Sequence, residues 1–213
     1  MAHLLIDPEP PRTILIDGKT ITARKVKLLD PRRTIYRFEL GSGFSLKIPP
    51  TENAIIVKQQ KIGWEKELQD ERKAYENLKE LQGKLIPTLY GEGIYDGYPA
   101  LLLSDEAGST LYDLARNLHV RIFYNALEVM LEEVFVKLTS HCAVYWDQRA
   151  DNFLFNEKDG KITVLDLEEV RFPGEFGEAD HLVNQGGAST ILDEVKAARK
   201  SSILRISDQE GDT

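Results

Sequence analysis

Residues 145–155 read YWDQRADNFLF, and residues 161–170 read KITVLDLEEV. In the first stretch Asp147 is followed five positions later by Asn152, and the chain then runs straight into an apolar, β-prone segment. The second stretch is another such segment and closes on Asp166. Asp159-Gly160 lies between them as a hairpin signal, so the spacing predicts two antiparallel strands with Asp147, Asn152 and Asp166 converging at one end. Singly each is ordinary, since Asp and Asn cap turns and close strands by bonding their own backbone. As an ordered set they are oxygen donors of the kind that suits Mg2+, which keeps several waters and shares its shell with phosphates.

The chain before this region carries the strand pattern. TILID, ITARKVKLL, TIYRFEL and FSLKI in the first fifty residues are rich in β-branched and apolar side chains. Turn chemistry separates them at Asp17-Gly18, Asp30-Pro31 and Gly41-Ser42-Gly43. Beyond Pro49-Pro50 the period changes. Trp64, Leu68, Tyr75, Leu78 and Leu81 recur at helical spacing, with a stop expected near Gly83. Two more strands are expected around TLYGEGIY and YPALLLS, joined by Asp96-Gly97, and then DEAGS reads as a linker.

The second half turns helical. STLYDLARNL is short. RIFYNALEVMLEEVFVKLTSH is long, with Phe123, Ala126, Leu127, Met130, Leu131, Val134 and Leu138 expected along one buried face. Residues 173–190 read as a glycine-rich loop, residues 191–202 as a short helix, and SDQEGDT as a frayed tail.

Composition bounds the function. With 42% hydrophobic and 29% charged residues in 213, the chain has enough apolar material for a core without metal or disulfide staples. Its one cysteine, Cys142, excludes a disulfide framework and cysteine-rich zinc sites; it reads as a small buried hydrophobe. His3, His119, His141 and His181 show no ligand spacing. A formal net charge of −8 disfavours non-specific binding to nucleic acid or anionic membrane. The start lacks a secretory pattern, and no apolar run approaches the roughly 20 residues of a spanning helix. A soluble intracellular protein, cytoplasmic or in another interior compartment, is expected, with neither nucleic acid nor membrane as partner.

Two further charged residues stand where folding alone favours apolar ones. Glu71 lies three residues after Leu68 and four before Tyr75, within the apolar stripe, where a carboxylate needs a cationic partner; at the stripe's edge it would instead reach water. Lys47 in FSLKI alternates with Phe44, Leu46 and Ile48, sharing its face with Ser45. A solvated edge lysine has the same pattern, but its place before the helix bearing Glu71 makes it the natural partner.

Taken in order, these segments resemble the eukaryotic-protein-kinase-like superfamily, near small fungal kinase-like proteins and the RIO and aminoglycoside-phosphotransferase-type branches. The resemblance runs from about Ile21 to Phe172. YWDQRADNFLF matches the spacing of the catalytic loop H-R-D-x-x-x-x-N, and VLDLEEV the metal-binding loop. FSLKI is similar to the strand with the ATP-anchoring lysine, and ERKAYENLKELQGKLIPTLYG to the helix with its glutamate partner and the strand after it. ALLLSDEAGSTLYDL is similar to the last small-lobe strand, the hinge and the first large-lobe helix.

The resemblance implies a bilobal α+β fold: an antiparallel small lobe with one helix over residues 1–103, and a short, mainly helical large lobe over 104–213. It implies an ATP- and Mg2+-dependent kinase moving the γ-phosphate to a hydroxyl, by default protein Ser/Thr, with a small-molecule acceptor or a pseudokinase scaffold as alternatives. Lys47, with Ser45 beside it, would meet the ATP phosphates and be oriented by Glu71. Leu103, Ser104, Asp105 and Glu106 would border the adenine through the backbone. Asp147 would handle the acceptor hydroxyl's proton, Arg149 would steady the transferring phosphoryl group, and Asn152 and Asp166 would bind Mg2+.

The chain also departs from that pattern. Tyr145-Trp146 replace the usual pair before the catalytic aspartate, and Leu167-Glu168 follow Asp166 where the best-known pattern has Phe-Gly, although kinase-like branches with Phe-Glu there are familiar. DPRRT stands in place of a glycine-rich loop, with Arg32 and Arg33 either reaching phosphate or forming a solvated turn. No A-P-E signature follows.

Overall fold

Two pairs of residues, Asp17-Gly18 and Asp96-Gly97, take positive φ in succession (48° and 75°, 49° and 82°). Such two-residue turns match the twist of antiparallel strands, and each closes a hairpin here. Asp17-Gly18 joins β1 (Thr13–Ile16) to β2 (Lys19–Thr22). Asp96-Gly97 joins β6 (Leu89–Tyr95) to β7 (Tyr98–Ser104). The structure, a computed structural model, describes residues 12–41, 48–174 and 180–210.

With β3 (Lys25–Asp30), β4 (Ile35–Glu39) and β5 (Ala54–Gln59), these strands form one antiparallel sheet in the order β2-β1-β6-β7-β5-β4-β3. The chain is thus α+β with an antiparallel sheet. The described residues fall into two compact units: one reaches Leu68 and adds Thr88–Asp105, and the other holds Gln69–Pro87 and everything from Glu106 onward.

The first unit packs Phe38, Ile55, Val57, Tyr95 and Leu102 on one face of its sheet. The ring of Tyr95 meets Tyr36 and Phe38 edge-on, with centroids 4.8 and 5.0 Å apart, the arrangement that the ring quadrupole favours. Arg32 and Arg33 sit in a turn, each 3.8 Å from Asp30.

The strand β5 corrects the sequence reading, which left residues 51–63 unassigned. AIIVKQ does not alternate because β5 lies between β4 and β7 and is covered on both faces. Central strands of this kind read as continuous apolar runs.

The helix α1 (Glu65–Asn77) is shorter than the expected 64–81 and continues as a 3-10 turn over Lys79–Leu81. Trp64, expected on its buried stripe, is exposed and stacks under the Lys61 ammonium. Inside the second unit, Tyr75, Leu78 and Leu81 are fully buried. The segment behind them is tied to a hairpin of β10 (Phe153–Asn156) and β11 (Lys161–Val164). The N–H of Val164 donates to the Leu85 carbonyl at 2.7 Å, and Lys161 Nζ donates to the Gly83 carbonyl.

Thr110 ends the two-residue strand β8 (Ser109–Thr110), which pairs with β10, and caps α2 (Leu111–Arg116), its hydroxyl accepting from the Asp113 N–H at 3.0 Å. The helix α3 (Tyr124–Ser140) buries Leu127, Leu131, Val134, Phe135 and Leu138. Phe123 and Ala126, expected in that stripe, are exposed instead, and with half-buried Met130 they line an apolar cavity of about 260 Å³. Cys142 is also exposed, at a turn with φ of 56°, rather than buried.

Within the stretch expected as loop, the described residues from 180 onward are helical. Asp180–Gly186 is a 3-10 turn, and α4 (Gly187–Glu210) replaces the shorter helix expected over 191–202. Ala188, Ile191, Leu192 and Val195 give α4 a buried stripe at helical spacing. Among the described residues no helix is long and apolar enough to cross a membrane.

Candidate functional site

Two very short strands, β9 (Val144–Tyr145) and β12 (Val170–Arg171), hold the chemistry-bearing loops together. They pair antiparallel, so the chain entering Asp147 lies against the chain leaving Asp166. More bonds join the loops between them. The Trp146 N–H donates to the Glu169 carbonyl at 3.2 Å, the Leu165 N–H to the Asn152 carbonyl at 2.7 Å, and the Tyr145 hydroxyl to the Leu165 carbonyl at 2.9 Å.

On this frame Asn152 is fully buried. Its Nδ2 donates to the Asp147 carboxylate Oδ2 at 2.6 Å and to the Asp147 carbonyl at 3.0 Å. Because Nδ2 is committed, a cation approaching Asn152 would meet the amide oxygen. Asp166 is buried and held at φ of 55°, a conformation that Asp tolerates better than most residues but that still carries strain. Asp147, Asn152 and Asp166 therefore share one locality within the second unit.

Arg149 is engaged elsewhere. Its guanidinium forks onto Asp151, with Nε to Oδ1 at 3.1 Å and Nη2 to Oδ2 at 2.8 Å. Burial acts to lower its pKa, but Asp151 and Asp147 outweigh it and raise the value.

Glu71, on α1, is 1% exposed, so its carboxylate is buried. One oxygen each from Glu71, Asp166 and Glu168 lie within 4.8 Å of one another. Tyr75, one helical turn after Glu71, is fully buried. Its phenol is pushed well above the usual range, first by burial and then by Glu71, Asp166, Glu106 and Tyr145.

The expected adenine border is made of residues with assigned partners. Leu103 pairs in register with Ile56 and Leu89. The Ser104 N–H donates to the Thr88 carbonyl, and its Oγ accepts from the Thr88 N–H at 2.8 Å. Asp105 takes Arg37 Nε at 2.7 Å, and Glu106 lies 3.5 Å from Lys161 Nζ. Lys47 and Ser45 lie outside the described residues.

Sequence reasoning missed three residues that bear on these loops and, within the first unit, Lys58 on β5, a lysine only 8% exposed on an interior strand. Its signal was present: Ala54-Ile55-Ile56-Val57-Lys58 is an apolar run closing on lysine, similar to the V-A-I-K pattern. Glu168 was read as the loss of a glycine at a place where some kinase-like branches carry Phe-Glu, and its carboxylate was given no role. The other two act from a distance. Asn184 accepts from the Tyr145 N–H and donates to the Thr139 hydroxyl and the Ala143 carbonyl, and Glu194 on α4 accepts from the Ala150 N–H at 2.6 Å. No local pattern marks either of these.

No family model matches this chain, and no curated protein matches it.

Proposed function

We propose that this chain has the bilobal protein-kinase-like fold and acts as an ATP- and Mg2+-dependent phosphotransferase, with a protein Ser/Thr hydroxyl as acceptor. The observation that supports this best is the Asn152 amide bonded to both the carboxylate and the carbonyl of Asp147. That bond fixes the Asp147 carboxylate at the surface of the loop, half-buried and able to take a proton from an incoming hydroxyl. Asn152 offers an amide oxygen and Asp166 a carboxylate, a hard-donor pair that fits Mg2+. The cation would bridge phosphate oxygens and neutralise the charge that develops in transfer. We assign the phosphate-anchoring role to Lys58, which is buried near the end of β5, in place of Lys47.

The test is the melting temperature with and without ATP, each with and without Mg2+. A ligand at 100 times its dissociation constant stabilises the native state by about 2.7 kcal/mol, a shift of several degrees. We expect a magnesium-dependent rise that Asp166→Asn removes. No rise with any nucleotide would sink the reading.

The bidentate hold of Asp151 on Arg149 favours a second reading, a nucleotide-binding scaffold without transfer, because that guanidinium is already satisfied. Asp147→Ala separates the two. It should abolish phosphate transfer and spare ATP binding if the chain is an enzyme, whereas a scaffold shows no transfer to lose.

A further inference from the structure

An apolar cavity of about 260 Å³ lies within the second unit. Leu111 and Leu114 of α2, Leu127 of α3 and Val195 of α4, all buried, line it. The segment between α2 and α3 adds Val120 and Phe123, and every other lining residue is apolar except Arg121 and Glu157. We propose that this cavity binds the hydrocarbon chain of a medium-chain carboxylate, of about eight carbons, and that Arg121 holds its head group.

The size and lining set the body of the ligand. An engineered apolar cavity of about 150 Å³ admits benzene, and at about 30 Å³ per non-hydrogen atom, the share of a water in the liquid, the larger space here takes about eight or nine atoms. The buried lining side chains offer no hydrogen bond, so a polar body would lose its water without compensation. The wall is also fixed in advance. On α4, Arg199 Nη1 donates to the Asn117 carbonyl at 2.6 Å, and Nη2 donates to the Leu118 and Val120 carbonyls at 3.2 and 2.9 Å. One guanidinium thus ties the segment before Arg121 to α4, and a ligand meets a wall that needs no ordering.

Charge sets the head group. The Arg121 guanidinium lies 4.9 Å from the centroid of the Phe123 ring, a contact that holds a cation in place. Among the described residues it meets no carboxylate, and it does not pair with Glu157. Its N–H fork is therefore left to match a carboxylate from outside. Glu157 is exposed and has no contact of its own among the described residues to orient it. It opposes an anion at Arg121, so its removal should strengthen one.

The cavity shares no residue with Asp147, Asn152 and Asp166, and it does not rest on the phosphotransferase reading. The experiment is equilibrium dialysis of the full chain against radiolabelled octanoate, with octylammonium and octanol as competitors. We expect about one octanoate per chain at saturation, with both competitors weaker than unlabelled octanoate. Affinity should fall about three- to tenfold in Arg121→Gln and rise in Glu157→Gln. Ala126→Phe, which places a ring in the cavity, should abolish binding, and unchanged far-ultraviolet circular dichroism shows that each variant still folds. No bound octanoate at millimolar concentration, octylammonium competing as well as octanoate, or equal binding by wild type and either Arg121→Gln or Ala126→Phe would overturn the site.

Discussion

Asn152 Nδ2 and Asp147 Oδ2 are 2.6 Å apart, and the same nitrogen also reaches the Asp147 carbonyl. One buried amide thus sets both the backbone and the carboxylate of the residue assigned to proton handling. Asn152→Ala should cost about 1–3 kcal/mol, because a bonded group is left without its donor. Urea denaturation reads that loss. Phosphate transfer should fall further than stability does, since Asp147 loses its orientation; a variant as active as wild type would refute the link.

Lys58 and Lys47 make competing claims on one role. Lys58→Met keeps most of the side-chain volume and removes the charge, so the sheet should survive. We expect the nucleotide-dependent rise in melting temperature to vanish in Lys58→Met and to persist in Lys47→Met. The reverse result would return the role to Lys47.

Gly187 opens α4 directly over Phe135. A Cβ at that position would overlap the Cζ, Cε1 and Cε2 atoms of the ring, and Phe135 is itself buried against Phe153. Gly187→Ala should therefore destabilise the fold by about 1–3 kcal/mol through overpacking. Adding Phe135→Leu should recover part of the loss, and strict additivity of the two changes would argue against the contact.

The Tyr36–Tyr95 pair should make the first unit sensitive to alkali. Burial raises the pKa of Tyr36 first, with Asp96 adding to it. Burial also leads at Tyr95, followed by Tyr36 and Asp96. Folded values above the unfolded value of about 10 mean that their contribution is intact below pH 10 and drains away as pH rises past it. The melting temperature should be flat from about pH 8 to 9.5 and fall above about pH 10. Tyr95→Phe keeps the ring packing and should shallow that fall; an identical slope would count against this account.

Residue order and local chemistry were enough to read several features. The turns at Asp17-Gly18 and Asp96-Gly97 depend only on which residues tolerate positive φ, so they were legible. The β10–β11 hairpin around Asp159-Gly160, and the grouping of Asp147, Asn152 and Asp166 that follows from it, were legible for the same reason. Helical period put Glu71 within the apolar stripe but left an edge position in water open, and the fold buries it. The α+β class was implied by the resemblance, and the antiparallel sheet with its helices agrees with it.

Other features were decided by tertiary structure. The strand β5 looked like a spacer because two-sided burial erases the alternation that marks a strand. β9 and β12 have two residues each, too few for any period, yet they hold the Asp147 and Asp166 loops side by side. Asn184 and Glu194 reach back 39 and 44 residues to fix the same loop. Glu168 shows the division most clearly. By sequence it was a missing glycine whose carboxylate had no role; in the folded chain its carboxylate stands beside those of Glu71 and Asp166, because packing between distant segments sets which charges meet, and local sequence does not encode that distance.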